Sequence, residues 1–104
     1  MTDRELLEFA AKAAGIEAHF EFGSANAMVL VKPRGFQVFW NPLADDADAL
    51  RLLVSLKMDV CFGDNYVTVR GSAQMPIVNN AGDTAAATRR AIVRAAAAIG
   101  KDLP

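Results

Sequence analysis

Three groups of side chains in this chain have the types and spacing to do chemistry. Glu17, His19 and Glu21 alternate along one stretch, so in an extended strand all three project from one face. Two carboxylates beside an imidazole favour its protonated form and could give an acid/base pair or a weak metal site. The same alternation describes the solvated face of a half-buried strand, which needs no catalysis to explain it. Asp45, Asp46 and Asp48 could hold a hard cation such as magnesium through oxygen ligands. They also stand where a helix begins, and carboxylates there are stabilised by the helix dipole by roughly 0.3 to 1 kcal/mol each.

The third group is basic. Arg90, Arg94 and Lys101 fall on the outward side of a final helix, and Arg89 falls on its apolar arc near Val93 and Ala96. Exposed bases in such a row are candidates for contact with a nucleic-acid backbone. Arg89 is different, because a half-buried guanidinium needs a hydrogen-bonded partner. We expect it to bridge to Asp45, Asp46 or Asp48 and tie the last helix to the middle one. Residues 65 to 104 carry a net charge of +3 and residues 1 to 64 a net charge of −4, which sharpens the nucleic-acid alternative.

Cys61 is the only cysteine and His19 the only histidine, so neither a disulfide framework nor a multi-thiolate metal site can form within the chain. Cys61 lies between Val60 and Phe62 and reads as a small buried hydrophobe. No Gly-x-Ser-x-Gly elbow or phosphate-cradling glycine loop occurs. The residues therefore imply no cofactor and no catalytic set. Trp40, next to Phe39 before the Asn41-Pro42-Leu43 turn, reads as a plug in the core, with an exposed interface anchor as the alternative.

These groups sit in a chain of 104 residues with a net charge of −1 and 53% hydrophobic residues, twenty of them alanine. The length suits one domain, and the near-zero charge excludes a dominant basic or acidic footprint. The opening residues lack the basic flank and apolar run of a signal peptide, and no apolar stretch approaches a membrane span. We expect a soluble cytoplasmic protein.

The elements follow from periodicity. Thr2 and Glu5 have capping-box spacing, Leu6, Leu7, Phe9, Ala10, Ala13 and Ala14 share one arc, and Gly15 supplies a stop, which predicts a helix from Asp3 to Ala14. Period-two alternation over Ile16 to Phe22, an apolar run over Ala27 to Val31 and a third run over Phe36 to Trp40 predict a three-stranded meander. A helix capped among Asp45, Asp46 and Asp48 and ending near Lys57 carries Leu50, Leu52, Leu53, Val54 and Leu56. That wide apolar arc predicts the most buried helix, with Asp48, Arg51 and Ser55 as its polar strip. Gly63-Asp64-Asn65 joins strands Asp59 to Phe62 and Tyr66 to Arg70. A long loop with one short extended piece near Met75 to Val78 leads to a helix from Thr84 to Ile99, capped by Asp83, whose alanines imply close approach of a neighbour.

The expected fold is α+β, in the order α-β-β-β-α-β-β-α, with about five mostly antiparallel strands and three helices. The expected core is Leu6, Phe9, Phe20, Val29, Val31, Val38, Trp40, Leu50, Leu53, Val54, Val60, Val67, Ile92 and Ile99. The first 57 residues share their element order with a double-stranded RNA-binding domain. Its second helix presents bases to phosphate, where this chain has Asp45, Asp46 and Asp48, so that reading is rejected.

The run Trp40 to Leu52, the helix segment Ala87 to Ala96 and the opening Glu5 to Gly15 resemble the phage ABA sandwich domain family. The resemblance implies an α/β/α layered sandwich, a phage or prophage origin in a bacterial host cell, and no assigned activity or catalytic residues to carry over. The expected function is a non-enzymatic accessory protein acting through contacts with a phage or host protein, or as a homodimer. Nucleic-acid binding by the last helix and a small enzyme built on His19, Glu17 and Glu21 are the alternatives.

Overall fold

The computed structural model describes residues 2–16, 40–80 and 82–104. The expected meander, with Glu17, His19, Glu21, Phe20, Val29, Val31, Val38 and Phe39, lies outside the described residues.

Helix α1 spans Asp3–Ala14. The Glu5 N–H donates to Thr2 Oγ1 at 3.2 Å and the Thr2 N–H donates to Glu5 Oε1 at 3.1 Å, so two amides that the helix start would leave unpaired are satisfied reciprocally. The bond from the Thr2 amide, followed by that from its hydroxyl, holds the Glu5 carboxyl below its ordinary pKa of 4.5, because both stabilise the ionised form. Gly15 ends the helix in the left-handed region at φ 70°, where a side chain would be strained.

Helix α2 spans Asp46–Ser55. Asp45 is its cap, accepting from the Ala47 and Asp48 amides. Its far end is a left-handed turn at Lys57, φ 53°, in which the Lys57 N–H donates to the Val54 carbonyl and the Met58 N–H to the Leu53 carbonyl. That is the Schellman arrangement, and the packing of Met58 and Leu53 into the same core supplies its usual apolar contact.

Strands β1 (Asp59–Phe62), β2 (Tyr66–Arg70) and β3 (Ile77–Asn79) form an antiparallel sheet in the order β1-β2-β3. The register pairs Cys61 with Thr68 and Thr68 with Ile77. Alternation sets Val60, Phe62, Val67 and Val69 on the inner face and Cys61, Tyr66 and Thr68 on the outer one. The described residues thus contain three strands where about five are expected.

Helix α3 spans Thr84–Asp102 and is the element on which the others pack: α1, α2, β2 and β3 all contact it. The run Ala95–Ala98 is buried throughout, and four consecutive residues exceed one helical turn, so α3 is enclosed around that one turn. Alanine lets two helices and a sheet approach one axis closely. The expectation that α2 is the most buried helix is corrected here. Leu50 and Val54 are 58% and 66% exposed, because among the described residues α2 packs mainly on α3 and its apolar arc is wider than that neighbour covers. Leu6, Trp40, Val67 and Ile92 are buried as expected, and Phe9, Leu53, Val60 and Ile99 pack partly against them.

Candidate functional site

Arg89 leaves α3 toward α2. Its Nε–H donates to the Leu43 carbonyl at 3.0 Å and Nη1 donates to Asp46 Oδ1 at 2.7 Å. The guanidinium is mostly buried and the Asp46 carboxylate mostly exposed, so water screens the charge pair and the carbonyl bond is the more sheltered contact. Neither Asp45 nor Asp48 is the partner of Arg89. Asp45 is committed to the α2 amides. The Asp48 carboxylate, expected on a polar strip, is buried, accepts the Asn41 N–H at 2.9 Å and meets Arg51 at 3.3 Å. Pairing with a main-chain amide is what draws it inward, and it fastens the Asn41-Pro42-Leu43 turn to α2. The three aspartates therefore point to three different partners and do not converge on an ion. Among the described residues no three His, Cys, Asp or Glu side chains form a metal-holding group.

Beside this ion pair lies an apolar groove of about 550 Å³ between α2, β1 and α3. Leu50, Leu53, Val60, Phe62 and Ile92 line it, with Arg89 and Asp46 at its polar end. Phe62 is 61% exposed. Leu50 and Val54, one turn apart on α2, extend the apolar surface outward. The signal in the sequence was a surplus: five of the seven residues from Leu50 to Leu56 are leucine or valine, more than one helix face buries.

A second, polar groove of about 510 Å³ lies on the other side of α3, lined by Gln74, Arg90, Arg94, Lys101 and Asp102. It gathers all three expected nucleic-acid residues. Arg90 is not free, since its Nη2 donates to both Asp3 oxygens at 3.1 and 3.3 Å and clamps α1 to α3. Lys101 helps lower the Glu5 pKa through its charge, so α1 partly offsets this groove. Arg94 makes no ion pair among the described residues.

Trp40, 6% exposed, is in the core, which removes it as an interface anchor. Cys61 is exposed, contrary to the expected burial, because it points from the face of β1 that no described helix covers. Phe39, His19, Glu17 and Glu21 lie outside the described residues. No helix among the described residues is long and apolar enough to cross a membrane.

Comparison with protein-family models, with curated proteins and with solved structures gave no match.

Proposed function

We propose that this chain is a non-enzymatic phage or prophage accessory protein of the bacterial cytoplasm that works through protein contacts, with the α2-β1-α3 groove as the contact surface. The observation that carries the reading is a ligand-sized, largely apolar groove whose exposed Leu50 and Phe62 have no cover among the described residues. Such concentrated exposed apolar surface marks interaction sites. The likeness of Trp40 to Leu52 and of Ala87 to Ala96 to the phage ABA sandwich family supports the origin. The same likeness implies a layered α/β/α sandwich, and the alternation beyond Ile16 supports further strands, about five in all.

The test is capture in host cells carrying the tagged chain, comparing the native sequence with Leu50→Lys and Phe62→Lys. Both positions are exposed, so the variants should melt at nearly the native temperature. Loss of a captured protein, or of a second copy, from both variants supports the reading; an unchanged captured set overturns it.

Nucleic-acid binding by Arg90, Arg94 and Lys101 is the second reading, favoured by their placement in one groove. It predicts retention on DNA or RNA that falls steeply with salt and weakens on Arg94→Ala. No retention at low salt removes it.

A further inference from the structure

We draw no further inference here: the strongest candidate, the apolar groove between α2, β1 and α3 together with the outer edge of β1, carries nothing beyond the contact surface already described, because nothing among the described residues shows what covers it.

Discussion

Gly100 in α3 lies so close to the carbonyl of Phe9 in α1 that a Cβ at position 100 would overlap the Phe9 oxygen. The neighbour is backbone and cannot swing aside, so a side chain there forces the two helices apart. Gly100→Ala should therefore destabilise the fold by about 2 kcal/mol or more, read as a lower urea midpoint with an unchanged slope. On propensity alone the same change would stabilise a helix interior by about 1 kcal/mol, so the sign of the shift decides whether the contact or the propensity dominates.

Asp46 and Asp48 make opposite predictions despite being neighbours on α2. Asp46→Ala removes the exposed half of a screened pair and should cost under about 1 kcal/mol. Asp48→Ala strips the part-buried Asn41 amide of its acceptor and should cost about 1 to 3 kcal/mol. Equal midpoint shifts in chemical denaturation would contradict this assignment.

Lys57 occupies a left-handed position that favours glycine. Lys57→Gly relieves the crowding of its Cβ but makes the unfolded chain more flexible, and the net should be a gain of about 0.5 to 1 kcal/mol. Differential scanning calorimetry should show a higher melting temperature, and a lower one would mean that the turn tolerates lysine without strain.

Glu5 gives a pH-dependent term whose sign follows from its cap. Its folded pKa is depressed from 4.5, so the contribution is fully present above the unfolded value and is lost as pH falls through the lower folded one. The side-chain titration followed by NMR should have its midpoint below that of an unstructured peptide, and Thr2→Gly, which removes the hydroxyl, should raise it. A midpoint at the peptide value in the native chain would show the cap to be open in solution.

The parts of this fold legible in the sequence are those set by local chemistry. Thr2, Glu5 and Gly15 marked both ends of α1, Gly63-Asp64-Asn65 marked the β1-β2 hairpin, and each of these signals acts within a few residues. What was hidden depends on distant neighbours. The last helix is expected to end at Ile99, yet it runs through Gly100 to Asp102, since that glycine serves an approach by α1 that no local pattern records. Asp48 reads as a surface acid because its partner is a main-chain amide, which every residue type but proline presents. Cys61 and Leu50 were misplaced for one reason: an apolar residue implies burial only where something lies over it. The Arg89 link was legible as a need for a partner, and geometry chose Asp46.

Because α3 comes after every other described element and α1, α2, β2 and β3 pack on it, the order of synthesis matters. As the chain leaves the ribosome, α1, α2 and the sheet are made before the surface they require exists. Their apolar faces stay unsheltered until residues 84–102 follow. A chain cut short within that helix would consequently lose the common scaffold for both its helical and its sheet layers, so a stop before residue 84 should abolish the fold of the elements already made.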